Sequence, residues 1–258
     1  MPYIPGMHRT LAQLWILPVI LGVIAGCSAS IPYYRYVFDS EATSRHEIRR
    51  IVVRGVTLPQ ELRANKALID AAIDARLVGA GFTLIPFHET QEHWQAALEN
   101  GAPSYDPTTG EVDRDNLVAI YHDYLARVAQ ADIADAVVEP AVVKRLAKLS
   151  SKVALWDGVR RRIPTDSGNE FDWSGTGDVL SLRITVYATD GTLLLSNYGG
   201  LEYPYRHARK GRGVTSQLRD DLFANREFVE AGVRVALHPF IREPSYPERP
   251  RFYVDRID

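Results

Sequence analysis

Leu11 to Cys27 reads LAQLWILPVILGVIAGC, and its apolar core from Leu14 to Ile24 is far shorter than the roughly 20 residues that a helix needs to cross a bilayer. Small Ala25 and Gly26 precede Cys27, and Arg9 with His8 stands before the apolar run, the pattern of a cleaved export signal. Met1 or Met7 could begin it; a start at Met7 is the more compact, because MPYIPG adds two prolines and no charge. An uncleaved anchor is the alternative, disfavoured by Gln13 and Pro18 inside an already short segment. Cys27 is also the only cysteine, so no internal disulfide can staple the fold, and the rest of the chain must be held together by its own hydrophobic core.

Ile24-Ala25-Gly26-Cys27 resembles the lipobox of bacterial lipoproteins. The resemblance implies cleavage between Gly26 and Cys27, diacylation of the Cys27 sulfur and acylation of its new amine. Several chains make a firm anchor where one is marginal, each buried CH2 contributing about 0.8 kcal/mol. Lipoprotein sorting retains chains with Asp after the cysteine on the inner membrane; here that position is Ser28, which implies the outer membrane facing the periplasm, the inner membrane being the lesser alternative.

Of 258 residues, 46% are hydrophobic and 24% charged, and removing the signal leaves enough for one large domain or two small ones. The net charge of -2 gives no reason to expect nucleic acid as a partner. Four parts are expected: signal 1–26, lipidated cysteine and tether 27–46, a domain over 47–240 and a proline-rich tail 241–258. The tether carries Tyr33, Tyr34, Tyr36 and Phe38, rings expected to pack on the domain or to dock a partner or the membrane interface.

Ile48–Val56 is β-branched and reads as a strand, and Thr57-Leu58-Pro59-Gln60 has the form of a capping box opening a helix with Leu62, Leu68, Ile69, Ala72, Ile73 and Leu77 inside. Phe82–Ile85 is a second strand, which would complete a parallel βαβ unit. Thr90–Asn100 and a segment from Asp113 or Asp115 to about Gln130 read as helices, the second with Leu117, Ile120, Tyr121, Tyr124, Leu125 and Val128 on its apolar face. Strands follow over 135–149, 153–163, 179–189 and 192–203, with Asp190-Gly191 as a hairpin turn and Ser150-Ser151 as a weaker one. Asn225 caps a last helix. The expected fold is a single α/β (α+β) domain: a mixed sheet, an N-terminal βαβ half, antiparallel strands and a closing helix.

The stretches ADAVVEPAVVKRLAKLSSKVALWDGVRRR and LRITVYATDGTLLLSNYGGLE resemble those of a family of proteobacterial envelope lipoproteins. The element order is similar to the α/β modules of the penicillin-binding-protein activator lipoproteins, the curli-secretion lipoprotein and the TolB amino-terminal domain. These likenesses imply a fold and a compartment and transfer no catalytic residue.

Chemistry is sparse. His88 and His93 in HETQEH are five apart, about 140° around a helix, so they do not share a face as zinc ligands must, and His46, His122, His207 and His238 supply no third ligand. Ser174 in DWSGTG lacks the first glycine of a nucleophile elbow. Asp157 in Trp156-Asp157-Gly158 is either a buried acid or, more simply, a hydrogen-bonded carboxylate in a strand bulge beside a packed indole. Gly199-Gly200 marks a bulge or the close approach of a ligand or backbone. The run Arg160–Arg162 can line an exposed strand face.

Arg206, Arg209, Lys210 and Arg212 concentrate positive charge on a glycine-bearing loop, which is either simply solvated, the blander reading, or suited to anionic lipid, phosphate or carboxylate. The tail REPSYPERPRFYVDRID could be a polyproline-type ligand or fold back on the domain. The expected role is a non-catalytic binding or accessory component of an envelope complex, with the membrane, through lipid on Cys27, and an envelope protein as partners. No catalytic, cofactor or metal residue is assigned. An envelope hydrolase and a small-ligand-binding lipoprotein remain the other two classes.

Overall fold

The computed structural model describes residues 36–59, 62, 66–105, 109–166, 171–211, 213–242 and 255–256. They run β1 (Val37–Phe38), α1 (Ser40–His46), β2 (Arg50–Val53), α2 (Lys66–Gly79), β3 (Thr83–Pro86), α3 (Gln91–Asn100), α4 (Arg114–Gln130), β4 (Ala136–Ser151), β5 (Val153–Trp156) and β6 (Val159–Arg162). Then come β7 (Trp173–Ala188), β8 (Leu193–Glu202), β9 (Tyr205–Lys210), β10 (Gly213–Leu218), α5 (Arg226–Leu237) and β11 (Asp255–Arg256).

The frame is the pairing of two 16-residue strands, β4 and β7, antiparallel from Ala136 opposite Ala188 to Ser151 opposite Trp173. On the far edge of β7 lies β8, then β1. The free edge of β4 is shared: its start takes β2 in parallel, with β3 beyond, and its end takes the β5–β6 hairpin. The fold is therefore the expected mixed sheet, with a parallel β2–α2–β3 unit, antiparallel strands and a closing helix.

Alternation along β4 decides what each face buries. Ala136, Val138 and Val142 share a core with Ile51, Leu182, Ile184 and Val186, covered by Ile69, Ile73 and Leu77 of α2 and by Val229, Val233, Ala236 and Leu237 of α5. Val137 and Val52 point the other way, into a second core under α3 and α4 formed by Ala97, Ile120, Tyr124, Leu125 and Val128. Each such aliphatic side chain contributes about 1.5–3 kcal/mol when fully buried. Leu117, assigned to the apolar face of α4, is instead 40% exposed.

At the other end the β5–β6 hairpin curls back to β8, where Gly200 N donates to Asp157 O at 2.9 Å. Trp156, Val159, Val179 and Tyr203 fill a third core there. A Cβ on Gly200 would overlap Val159, and one on Gly199 would overlap the carbonyl oxygen of Gly232 in α5, so the helix rests backbone to backbone on the sheet. A register shift falls opposite the same point, between Leu180 and Ser181. The glycine pair thus marks both a bulge and a close backbone approach.

Several expectations are corrected. The tether is not separate as far as residue 46: Val37 and Phe38 pair with Ser196 and Leu195, the Asp39 side chain caps α1 by accepting from Ala42 N at 2.8 Å, and Ala42 is fully buried. Thr57 opens no helix. Its amide donates to Pro140 O and its carbonyl accepts from Val142 N, prolonging the β2 path along β4, and α2 begins only at Lys66. The segment 153–163 is a hairpin and not one strand, because Asp157 (φ 34°) and Gly158 (φ 77°) form a two-residue turn with positive φ at both positions. Arg161 does not line an exposed face; it is 3% exposed, its guanidinium 4.3 Å above the Phe228 ring. The proposed lipid site at Gly26–Cys27, Tyr33, Tyr34, Arg212 and residues 243–254 of the tail lie outside the described residues.

Candidate interaction surface

The basic segment is a hairpin and not a loop. β9 and β10 pair antiparallel from Tyr205 opposite Leu218 to Lys210 opposite Gly213, as a two-stranded sheet outside the main one. Between the two strands stands Gly211, whose φ of 61° suits glycine. Arg206, Arg209 and Lys210 are all exposed on β9, and the Arg209 guanidinium stands 5.7 Å from the Phe171 ring.

An isolated two-stranded ribbon is marginal in water, so something must hold this one. The anchor is His207, 4% exposed, its ring 4.4 Å from that of Trp173. Its Nδ1 lies 2.9 Å from Ser216 Oγ and its Nε2 3.1 Å from Tyr203 OH. The backbone supports it as well: His207 N donates to Pro164 O at 3.0 Å and Asp166 N to His207 O at 2.9 Å. Burial pushes the imidazole below the ordinary histidine range and the Tyr203 phenol above its own. His207 is therefore neutral at pH 7, and the positive charge of the hairpin comes from its arginines and lysine alone.

The base of the hairpin is tied down by an ion pair. Glu202, whose side chain is fully buried, lies 2.9 Å from Arg219 Nη1 and accepts from Phe223 N at 3.1 Å. Arg219 Nε also donates to Asp221 at 2.8 Å. Burial raises the Glu202 pKa despite the opposing Arg219 charge.

β10 differs from its partner. All six of its residues, Gly213 to Leu218, are exposed, and among the described residues only β9 pairs with it. The sequence displays the charges of this segment but conceals both His207 as anchor and β10 as a strand. The alternation of Tyr205, His207 and Arg209 is the available signal, obscured by charge on both faces.

The other candidates are dispersed. His88 lies in a 3-10 turn (Phe87–Thr90) and His93 on α3, and among the described residues no three His, Cys, Asp or Glu side chains gather as metal ligands do. Ser174 is exposed within β7. Asp157 is buried and fully engaged: Arg145 donates to both oxygens, at 2.9 and 3.0 Å, and Ser181 Oγ donates at 2.6 Å. The Arg145 guanidinium also stacks 4.0 Å from the Tyr198 ring. A buried carboxylate that accepts three hydrogen bonds from Arg145 and Ser181 is placed to order the β5–β6 turn. A groove of about 380 Å³ between α2 and α5, floored by Ala71, Ala72, Ala75 and Val233, is rimmed by Arg76, Arg226 and Arg234.

No family model and no curated protein matches this chain. Two solved structures of PelC dodecamers from Paraburkholderia phytofirmans, one of them a point variant, are similar over 79% of this chain and over 93% and 92% of theirs, at 10% identity and a TM-score of 0.34. At that level the likeness fixes neither fold nor function for this chain.

Proposed function

We propose that this protein is a lipid-anchored envelope lipoprotein that works by binding, as an accessory component held at the periplasmic face of the outer membrane through Cys27. The observation that carries the binding role is the β9–β10 hairpin. It presents Arg206, Arg209 and Lys210 to solvent while its one titratable group near neutrality, His207, is consumed in holding it to the domain. Such a cationic ribbon suits an anionic partner surface, phosphate- or carboxylate-bearing, and the chain's lipobox-like Ile24–Cys27 supports the placement.

The test is crosslinking in intact cells followed by affinity capture and mass spectrometry, comparing the native chain, Cys27→Ala, and a triple Arg206→Glu, Arg209→Glu, Lys210→Glu variant. Cys27→Ala is expected to lose lipid labelling and tight membrane association. The triple variant is expected to keep the anchor and lose the dominant envelope partner. Retention of lipid by Cys27→Ala would sink the anchor, and capture unchanged by charge reversal would sink the hairpin as contact.

One contact favours a second reading, an envelope hydrolase: the exposed Ser216 hydroxyl lies 2.9 Å from a neutral histidine that is itself held by a tyrosine. Labelling of Ser216 by a fluorophosphonate, lost in Ser216→Ala, would establish that reading. Its absence leaves the hydroxyl as part of the anchor.

A further inference from the structure

We propose that β10 is a self-complementary edge through which two copies of this chain join antiparallel, merging their hairpins into one four-stranded sheet. Natural edge strands are usually blunted by charge, proline, bulges or cover. β10 has none of these among the described residues: Gly-Val-Thr-Ser-Gln-Leu carries no charge and no proline, its register against β9 is unbroken, and all six residues are exposed.

The faces of β10 follow from that register. Residues directly opposite in an antiparallel pair point the same way. Val214, Ser216 and Leu218 therefore share the face of Arg209, His207 and Tyr205, the side on which His207 is buried against the body. Val214 and Leu218 are nevertheless 47% and 43% exposed, an apolar pair beside an edge that no other strand among the described residues occupies.

A second copy is the occupant that fits these residues. Two β10 strands related by a two-fold axis through Ser216 pair position i with position 432 − i, which sets Val214 of each copy opposite Leu218 of the other, Thr215 opposite Gln217, and Ser216 opposite itself. Every cross-strand pair is then apolar with apolar or polar with polar, with no like charges opposed, and the side-chain faces of both copies coincide as sheet pleating demands. Centring the axis one residue earlier would set Val214 against Ser216 and lose the match. The contact is isologous, so it closes at two copies. The cationic β9 strands end up on the outside, three strand spacings or about 14 Å apart, beyond the ~8 Å screening length at physiological salt. A pairing of five residues, Val214 to Leu218, is a small interface, so the dimer is weak and concentration-dependent. This inference does not rest on the lipid anchor or on the hairpin's binding of an envelope partner.

Cysteine pairing reads the register directly. In the full-length chain with Cys27→Ala, an introduced cysteine is the only thiol. Under catalysed oxidation Ser216→Cys is expected to form a disulfide-linked dimer. Val214→Cys alone is not, but an equal mixture of Val214→Cys and Leu218→Cys is. Separately, the Val214→Lys, Leu218→Lys double variant changes two exposed side chains, so it is expected to keep its melting temperature while a dimer seen by sedimentation in the parent becomes monomer. A Ser216→Cys thiol that alkylates readily but never crosslinks, crosslinking of Val214→Cys with itself, or a dimer that survives the double lysine change would each overturn the proposal.

Discussion

His207 titrates in a pocket that disfavours its charge. Trp173, Tyr203 and Ser216 enclose the ring, and burial holds its folded pKa below the ordinary value of about 6.5. Between the two values the unfolded chain binds more protons than the folded one, so this group's contribution to stability is whole above about pH 6.5 and is lost as pH falls toward the folded pKa. Glu202 acts in the opposite sense, since burial raises its pKa and protonation favours the fold as pH falls. The comparison that isolates His207 is therefore between the parent chain and His207→Gln, melted from pH 8 to pH 5. Below pH 6.5 the melting temperature of the parent is expected to fall more steeply than that of His207→Gln, and equal slopes for both would refute the assignment. Asp157 offers a second test at this scale. Asp157→Ala removes the carboxylate, 1% exposed, that Arg145 grips, and breaking such a buried pair costs about 3–5 kcal/mol. Denaturant unfolding should show a loss of that size; a loss under about 1 kcal/mol would mean that Arg145 finds water easily. The sequence shows Asp157 as a hydrogen-bonded carboxylate beside a packed indole but not its partners, which lie 12 and 24 residues away with no periodicity to connect them, and it shows nothing of the role of His207.

Among the elements, those whose limits are local are legible and those set by tertiary contact are not. Asp113 and Asn225 cap α4 and α5 through hydrogen bonds three residues long, at 3.0 and 3.2 Å to Asn116 N and Phe228 N, and both helices start where such residues predict. Asp190-Gly191 turns β7 into β8 as its dipeptide predicts; the same dipeptide at Asp157-Gly158 turns β5 into β6, although Trp156 and Val159 on either side of it read as one continuous strand with a bulge. Thr57 shows the opposite failure. Its capping-box spelling is overridden by the open edge of β4, which offers Pro140 O and Val142 N to an extended chain. The α5–β8 contact depends on glycine on both sides: a Cβ at Gly232 would stand 2.7 Å from Leu201 Cδ2 and 2.8 Å from Gly200 O. Gly232→Ala must therefore lift α5 off the sheet, which outweighs the better helix propensity of alanine and is expected to destabilise by about 1–3 kcal/mol or more. Urea midpoints of Gly232→Ala against Gly79→Ala, where a Cβ meets nothing within 4 Å, separate the two effects; equal midpoints would mean that the helix can shift without cost.

For the whole molecule, the proposed address and the fold belong to different parts of the chain. The sheet and its two helical layers follow from alternation over residues 136–202, a pattern strong enough to read because both faces are buried along much of β4 and β7. The proposed address rests on a few residues around Cys27, outside that stretch of sequence. The two should therefore be separable by substitution. If Ser28 directs an acylated Cys27 to the outer membrane, Ser28→Asp should move the protein to the inner-membrane fraction on density-gradient separation while leaving lipid labelling and melting temperature unchanged. A soluble Ser28→Asp protein would instead mean that the position governs processing, and an outer-membrane Ser28→Asp protein would mean that its destination is read elsewhere. The hairpin supplies the internal control. Reversing Arg206, Arg209 and Lys210 to glutamate should alter what the protein binds at either membrane without altering which membrane it reaches, because that charge lies on a ribbon held by His207, far along the chain from the proposed sorting signal.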